Sequence, residues 1–530
     1  MPFRASTEDL CHRLHQCRQK KDLQETLSLY EYMQKRGFEY HRLFGNSIVL
    51  MLTEIGFIDI ACSVFRKINY RNDRVWYVLI YGYIKAKKPQ EALQLYQEME
   101  SDESIQISGH IYVAILKTCA MLKDLERGIQ IHSEIDKLGL LRNDIYVGSA
   151  LIDMYVKCGL IVKAQKVFDI LPFHDVVMWN SLIHGYAKYG HEAEALKCFE
   201  KMQLDGIDPT VITFVCVLKA CGHIGDVRKG VEIHNELKRR NLLEGNIFLG
   251  NTLVDMYVKW GWLAKAQEVF DKLPIRDVVT WNALIAGYVE HGHGKRALEC
   301  FKQMRLACIS PDPVTYICTL KACASIRDIN KGRELHEEIS QRGFLDQDLT
   351  LGNVIVDLYV KCGLLVKARN VFDMLRVQNV VSWNTLISGY VIHGHGEEAL
   401  TCFKEMLNRG FEPDNATYIS SLKACSLIKA LDMGQDIHAE IERKGLLRTD
   451  VLVSSILVDM YAKCGVVAKA QDVFDKLPIR GLIAWTALIS GYTENGHAEE
   501  ALNCFEKMKF DGFSPDAITF VCSLKACANL

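Results

Sequence analysis

Four copies of His-x-Glu are the residues in this sequence whose types and spacing most suggest catalysis. Zinc deaminases of nucleobases place a His two residues before a Glu that acts as general acid and base, and a Pro-Cys-x-x-Cys segment completes their site. None of the ten prolines here is followed by Cys. The copies recur every 102 residues inside a helical pattern, so we interpret them as scaffold: His132 with Glu134, His234 with Glu236, His336 with Glu338, and His438 with Glu440.

Other catalytic and cofactor motifs are missing from the sequence as well. It contains no P-loop, no dinucleotide-binding fingerprint and no clustered metal-ligand motif. An enzyme would need a convergent polar site, and the residues that recur with the repeat offer none. We therefore expect the chain to bind rather than catalyse, with no catalytic residue, metal or cofactor.

The 19 cysteines are also copies of a few positions. Cys198, Cys300, Cys402 and Cys504 are one position repeated four times, and Cys221, Cys323, Cys425 and Cys527 are another. Copies 102 residues apart are too distant in a stacked array to pair, and no Cys-x-x-Cys occurs. We interpret them as small buried apolar residues of a reducing compartment.

The repeat is most regular from Asp277 to Asp312, DVVTWNALIAGYVEHGHGKRALECFKQMRLACISPD. It returns after 102 residues as NVVSWNTLISGYVIHGHGEEALTCFKEMLNRGFEPD and again as GLIAWTALISGYTENGHAEEALNCFEKMKFDGFSPD. Sequence that recurs with a fixed period indicates a stacked array of identical structural units. Tryptophans recur in phase with Leu and Ile, which predicts a place in the core: Trp179, Trp281, Trp383 and Trp485.

Each period divides into three units, which we call the first, second and third units of a triplet. From residue 109 onward the units are 36, 31 and 35 residues long. After a short lead, residues 1–6, the predicted triplets cover 7–108, 109–210, 211–312, 313–414 and 415–516, fifteen units in all, and a partial first unit covers 517–530.

Each unit is predicted to be a pair of helices. Ala195, Phe199 and Met202 recur at i, i+4 and i+7, the spacing of one helix face. Gly190 separates the two helices of that unit, and Pro209 follows the second. One hairpin cannot bury both of its faces alone, so neighbouring units must stack. The sequence therefore predicts an all-α fold, a right-handed superhelical solenoid.

The bulk composition argues mildly against a nucleic-acid partner and against a membrane. Formal net charge is −2, without the basic excess typical of nucleic-acid-binding proteins. No apolar run reaches the roughly 18 residues that a membrane-spanning helix needs. The N-terminal segment, MPFRASTEDL, is too short to be a signal or transit peptide.

The motifs of the three units resemble those of pentatricopeptide-repeat proteins. Third units carry Val-x-Trp-Asn-x-Leu-Ile-x-Gly-Tyr, then Ala-Leu-x-x-Phe-x-x-Met and Gly-x-x-Pro-Asp. First units carry LKAC and GxxIHxxI, and second units carry VDMYVKxG and AxxVFDxLP. The alternating lengths are similar to those of the plant subclass with P, L and S repeats, in which the third, first and second units correspond to P, L and S.

The resemblance implies binding of single-stranded organellar RNA, one base per unit, in a C-to-U editing specificity factor. It implies a mitochondrial or chloroplast location, a monomer, and a deaminase-bearing or other editing factor as protein partner. Relative to such factors the chain stops before their C-terminal extension and deaminase domain. Two alternatives stay open: an RNA stability or processing factor, and a helical scaffold that binds peptides.

In that family the fifth residue of a unit and its last residue together select the base. The resemblance implies uracil for Asn282 with Asp312, Asn384 with Asp414 and Asn251 with Asp277, and guanine for Thr486 with Asp516. It implies a pyrimidine for Asn46 with Asn72, Asn353 with Asn379 and Asn180 with Thr210, and a purine for Ser149 with Asp175. Ser455 with Gly481 departs from the code.

First units have Val or Ile at the fifth position, which cannot recognise a base by hydrogen bonding: Val113, Val215, Ile317 and Ile419. The resemblance also implies that apolar residues near the helix start stack on the bases: Tyr146, Val177, Phe248, Val279, Val381 and Ile483.

Two sets of these residues have alternative interpretations. The Asp that closes a unit directly precedes a helix and could simply be its N-cap. Six lysines late in first helices could contact RNA phosphates or could balance the helix dipole: Lys85, Lys157, Lys188, Lys259, Lys361 and Lys463. Asn in mid-helix has no such structural explanation, since it is a mediocre helix former.

Overall fold

The computed structural model describes residues 12–13, 16, 23–38, 42–68, 71–101, 107–142, 144–346 and 348–530. These residues form 31 α-helices, two short 3-10 turns and no β-strand. The chain divides into two compact halves, residues 1–260 and 261–530, which we call the N-terminal and C-terminal halves. The all-α prediction is confirmed.

The N-terminal half contains α1 (Leu23–Lys35), α2 (Arg42–Ile55), α3 (Ile58–Lys67), α4 (Asp73–Lys85), α5 (Pro89–Glu100), α6 (Gly109–Leu122), α7 (Leu125–Lys137), α8 (Ile145–Lys157), α9 (Ile161–Ile170), α10 (Val176–Lys188), α11 (Glu192–Leu204), α12 (Val211–Ile224), α13 (Val227–Arg239) and α14 (Ile247–Lys259). A 3-10 turn spans Leu140–Arg142.

The C-terminal half contains α15 (Leu263–Lys272), α16 (Val278–Glu290), α17 (Gly294–Leu306), α18 (Pro313–Ile326), α19 (Ile329–Gln341), α20 (Leu349–Lys361), α21 (Leu365–Met374), α22 (Val380–Ile392), α23 (Gly396–Asn408), α24 (Asn415–Ile428), α25 (Leu431–Arg443), α26 (Leu446–Thr449), α27 (Val451–Lys463), α28 (Val467–Asp475), α29 (Leu482–Glu494), α30 (Ala498–Phe510) and α31 (Ala517–Asn529). A 3-10 turn spans Phe344–Asp346.

Within each half, the helices form successive antiparallel hairpins whose first helices pack side by side. In the C-terminal half, for example, α16 packs on α17 and on α18. The predicted break at Gly190 is a left-handed residue with φ 80°, and Gly292, Gly394 and Gly496 repeat it. The helices of each third unit are thus joined by a turn that favours glycine.

The four tryptophans lie in the core, as predicted, with exposures between 0% and 4%. Each meets the edge of a Phe from the last helix of the preceding unit, with ring centroids 4.5–4.6 Å apart. This edge-to-face contact links the second unit of a triplet to the third. Trp76 and Phe65 make the same contact in the first triplet.

The repeated His-x-Glu segments also have a structural role. His Nδ1 lies 2.7–2.9 Å from a Tyr hydroxyl of the next unit in all four copies: His132 to Tyr155, His234 to Tyr257, His336 to Tyr359, and His438 to Tyr461. The scaffold interpretation is confirmed for these histidines. Burial lowers the pKa of His132, His336 and His438.

The cysteines of the two repeated positions are buried as well, except Cys527 in the last helix, and no described cysteine is in a disulfide. Burial raises the pKa of the Cys198, Cys300, Cys402 and Cys504 thiols to about 11. Such thiols remain protonated and unreactive near neutral pH.

The first prediction concerns the left-handed residue that ends the first helix of the four complete first units from residue 109 onward. Gly225 occupies it with φ 74°, whereas Lys123, Arg327 and Lys429 occupy it with φ 55–56°. A side chain at positive φ costs roughly 1 kcal/mol. We therefore expect Gly225→Ala to lower the free energy of unfolding by about 1 kcal/mol and Lys429→Gly to raise it. Chemical denaturation followed by circular dichroism measures both, and changes of the same sign would contradict the assignment.

The second prediction concerns acid sensitivity. His336 is neutral in the folded chain and its pKa lies below the ordinary value of 6.5, because burial disfavours the charged ring. The unfolded chain therefore binds more protons in acid, so this contribution to stability is complete above about pH 6.5 and decreases as the pH falls through the folded pKa. We expect the melting temperature to decrease between pH 7 and pH 5, and His336→Gln to weaken that dependence while lowering stability at pH 7.5. An unaltered pH dependence in the variant would contradict the prediction.

Candidate nucleic-acid interface

The second, fifth, ninth and thirteenth residues of a unit share one side of its first helix, because they are spaced by three or four residues. We call this surface the first-helix face. The predicted stacking residues are at the second position and are between 51% and 69% exposed: Tyr146, Val177, Phe248, Val279, Val381 and Ile483. Large apolar side chains at this exposure are available to a ligand.

Four further apolar residues lie at the same position, and the sequence reasoning missed them. They are 45–61% exposed: Ile212, Val314, Leu452 and Ile518. The signal that could have found them is their position in the unit, which is the same as that of Val279. The exposed apolar row therefore includes first units as well as second and third units.

The fifth residue and the last residue of a third unit are joined by hydrogen bonds. Asn282 Nδ2 donates to Asp312 Oδ1 at 2.9 Å. The buried Thr315 hydroxyl, in the next unit, lies 2.6 Å from Asn282 Oδ1 and 2.8 Å from Asp312 Oδ1. Because a carboxylate can only accept, the amide nitrogen must face Asp312, which fixes the orientation of the amide.

Other third units repeat this arrangement with small changes. Asn384 donates to Asp414 at 2.9 Å and is within 2.6 Å of the Thr417 hydroxyl. Asn180 Nδ2 donates to the Thr210 hydroxyl at 3.1 Å. In the last complete unit the shorter Thr486 hydroxyl contacts the Thr519 hydroxyl at 2.9 Å, and Thr519 in turn donates to Asp516.

Second units differ from third units. Asn353 Oδ1 is buried without a hydrogen-bond partner among the described residues, and Asn379, which the family code pairs with it, bonds to Ser382. The Ser455 hydroxyl donates to the Val451 carbonyl at 2.6 Å in its own helix.

The remaining predicted residues of second units are positioned as follows. Asn46 is buried and Ser149 is half-buried. Asn251 is half-buried at the same position of α14 in the N-terminal half, and Asp277 caps α16 in the C-terminal half.

The residues that close the units are N-caps, which is the alternative role considered above for the closing Asp. Their side-chain oxygen accepts from the backbone N–H three residues later: Asn72, Asp175, Thr210, Asp277, Asp312, Asn379, Asp414 and Asp516. Gly481 has no side chain to do so. At Asp414 burial opposes ionisation, but hydrogen bonds from Thr417 and Asn384 outweigh it and lower the pKa. One carboxylate oxygen thus caps a helix and also holds the fifth residue.

The predicted phosphate-binding lysines fall into two groups. Those of second units form ion pairs with an Asp one turn earlier, each at 2.8 Å: Lys157 with Asp153, Lys259 with Asp255, Lys361 with Asp357, and Lys463 with Asp459. In third units, Lys85 and Lys188 lie over the rings of Tyr81 and Tyr189. The paired lysines add no net charge to the first-helix face.

Two general properties of the described residues bear on the kind of site. No group of three or more His, Cys, Asp or Glu side chains among them is arranged to hold a metal ion. No described helix has both the length and the apolar character needed to cross a membrane.

Family models match the chain along most of its repeats. The model described as the PPR repeat family matches residues 174–223, 276–325, 378–426 and 480–529. The PPR repeat model matches residues 74–103, 149–172, 212–242, 251–278, 353–380 and 453–482.

Several curated relatives come from Arabidopsis thaliana. A chloroplastic pentatricopeptide repeat-containing protein is 33% identical over 92% of this chain and 78% of its own length. A mitochondrial one is 34% identical over 96% of this chain, which spans only 49% of that relative, and another chloroplastic one is 31% identical over 97% of this chain and 63% of its own length.

Among solved structures, the pentatricopeptide repeat protein PPR10 from maize has the same solenoid fold. The match has a TM-score of 0.66 at 18% identity and covers 98% of this chain and 88% of that chain. Helical-hairpin architecture, family models and relatives agree, and the chain belongs to the pentatricopeptide-repeat family.

Proposed function

We propose that this chain binds single-stranded RNA in a fixed register, one base per unit, with the first-helix face as the binding surface. The observation that carries the proposal is the hydrogen-bonded set of Asn282, Asp312 and Thr315, repeated at Asn384, Asp414 and Thr417. PPR10 from maize, whose fold this chain shares, has been solved in complex with an 18-nucleotide psaJ RNA element.

The amide of Asn282 is suited to recognising a base edge. Its one N–H to Asp312 and one lone pair to Thr315 are used internally, which leaves a second N–H and a second lone pair. An amide whose orientation is fixed before binding loses less rotational freedom when it meets a base. The donor and acceptor that remain are what uracil needs at its Watson–Crick edge.

The exposed second-position residues supply the non-specific part of the interaction. Phe248 and Tyr146 expose aromatic rings, and Val279 and Val381 expose aliphatic surface. Stacking of a base on an aromatic side chain contributes about 1–3 kcal/mol and tolerates any sequence. Affinity would therefore come from the second position and base choice from the fifth.

The biological role that fits best is recognition of the target site in an organellar C-to-U editing factor. Relatives carry chloroplastic or mitochondrial names, which supports an organelle as the compartment. The chain corresponds to only part of several relatives, and a deaminase-bearing or other editing protein is the proposed partner. A role in RNA stability or processing would use the same surface.

A peptide-binding scaffold is the rival from a different class. Such a surface has no reason to alternate Asn at the fifth position of third units with Val or Ile in first units, as in Asn282 and Ile317. It also has no reason to fix the amide of Asn282 through two hydrogen bonds. RNA recognition accounts for both features.

Reciprocal exchange at the fifth position tests the proposal. Asn282→Thr should shift the preferred base opposite unit 278–312 from uracil toward guanine, and Thr486→Asn should shift unit 482–516 in the opposite direction. We expect a change of about tenfold in relative affinity, or ~1.4 kcal/mol, measured by fluorescence anisotropy with RNAs that differ at one base.

The matched control is Ser388→Ala, which alters the ninth residue of a third-unit helix without touching the fifth position. It should leave base preference unchanged. Thermal melting of each variant separates a change in recognition from a loss of fold. Unchanged preference in both exchanged variants, with the fold intact, would remove the assignment of the fifth residue.

A further inference from the structure

The ninth residue of each first unit from residue 109 onward is a lysine, and the sequence reasoning did not single it out. All five are exposed, and none forms a hydrogen bond or an ion pair among the described residues: Lys117, Lys219, Lys321, Lys423 and Lys525. Each shares a side of its helix with the second and fifth residues, as Lys219 does with Ile212 and Val215. The first-helix face therefore has a positive charge without an ion-pair partner in each first unit from residue 109 onward.

Second units have a different charge pattern at the same place. From residue 145 onward their ninth residue is Asp, and its carboxylate neutralises the Lys at the thirteenth position, as Asp357 does for Lys361 at 2.8 Å. In third units the ninth residue is Tyr81, His184, Ala286, Ser388 or Ser490. From residue 109 onward, the ninth position of the first-helix face therefore carries a lysine without an ion-pair partner in first units, whereas second units have a paired Asp there.

An open cavity adjoins one of these lysines. It has a volume of about 520 Å3 and is lined by Ile212, Val215 and Phe248, with Lys188 and Lys219 beside them. Two exposed apolar side chains and two ammonium groups thus surround one space, and Val215 contributes no hydrogen-bonding group to it. This combination suits a flat ring that carries a nearby negative charge.

The electrostatics of the cavity agree with its lining. His184, which also lines the cavity, has a pKa lowered first by burial and then by the positive charges of Lys188 and Lys219; Asp153 acts in the opposite direction. No carboxylate is among the described residues that line this cavity, whereas Lys188 and Lys219 both line it.

We propose that first units hold the RNA backbone: the ninth-position Lys binds a phosphate while the unit leaves its base unread. This inference rests on the proposed binding of RNA and adds a division of labour within each triplet. Second and third units choose bases through the fifth residue, and the first unit contributes an electrostatic contact that recurs every third nucleotide. Such contacts set affinity and salt dependence without sequence preference.

The strength of this contact should differ from triplet to triplet because of the thirteenth residue of the preceding third unit. That residue is Lys85 before Lys117 and Lys188 before Lys219, but Glu290 before Lys321, Ile392 before Lys423 and Glu494 before Lys525. Lys188 and Lys219 line the same cavity, which places these two positions of consecutive units next to one another. Lys219 should therefore contribute more to binding than Lys321.

The test measures affinity of the full chain for a single-stranded RNA that it binds specifically, across a range of salt concentrations. Lys219→Gln should weaken binding about three- to tenfold at 50 mM salt and lower the slope of log K against log salt by about 0.7. The loss should be equal for matched and mismatched RNAs. Lys321→Gln should have a smaller effect.

The matched control is the double variant Asp357→Asn with Lys361→Gln, which removes an ion pair without changing the net charge. It should leave the salt slope unaltered. A second arm uses RNAs with one uncharged methylphosphonate linkage. A linkage opposite unit 211–246 should weaken the wild type and have no further effect on Lys219→Gln, whereas one opposite unit 349–379 should not affect either protein.

The outcomes separate this inference from the proposed function. Failure of the wild type to bind RNA at low salt would overturn the proposed function and this inference with it. Specific binding with an unchanged slope in Lys219→Gln would overturn only the inference. Loss of base preference at one position in Lys219→Gln, with the slope retained, would also overturn it, because the Lys would then read a base.

Discussion

The side chain that closes one unit and begins the next is the feature on which the rest of the first-helix face depends. In the third units, one oxygen of Asp312 or Asp414 accepts the backbone N–H of the following helix and also the amide of the fifth residue. The buried Thr at the third position of the next helix completes the set. The same hydrogen-bond network therefore caps a helix, joins two units and orients a polar side chain. Loss of the carboxylate would disturb all three.

This network explains why an amide at the fifth position can be tolerated in mid-helix. Asn282 is only 8% exposed, and a buried amide without partners would cost about 1–3 kcal/mol. Two hydrogen bonds offset that cost, one with Asp312 of the same unit and one with Thr315 of the next unit. First units have no such network because Ile317 or Val215 replaces the amide, and on our proposal they contribute charge from the ninth position instead.

Much of the scaffold could be predicted from the sequence, because a fixed period relates each residue to its copies. The position of a residue within the 102-residue period is enough to predict the burial of Trp383, the left-handed turn at Gly190 and the structural role of His336. These properties depend on contacts within a hairpin or with its neighbour. The period reproduces those contacts in every triplet.

The surface chemistry was harder to predict, because it depends on which side chains meet. Lys361 recurs at a plausible phosphate position, yet its charge is neutralised by Asp357 one turn away. The sequence contains that i, i+4 pair, but only the structure shows it formed. Thr315 was also missed, because its hydroxyl joins Asn282 and Asp312 across a unit boundary.

The most direct test of register-specific recognition is selection of bound sequences from a random pool of single-stranded RNA by the purified chain, followed by sequencing. The fifth-residue assignments predict enriched uracils at adjacent positions opposite units 247–277 and 278–312. They also predict a pyrimidine followed by uracil opposite units 349–379 and 380–414. Binding without any enriched sequence, or enrichment of purines opposite Asn282 and Asn384, would contradict recognition of bases by these units.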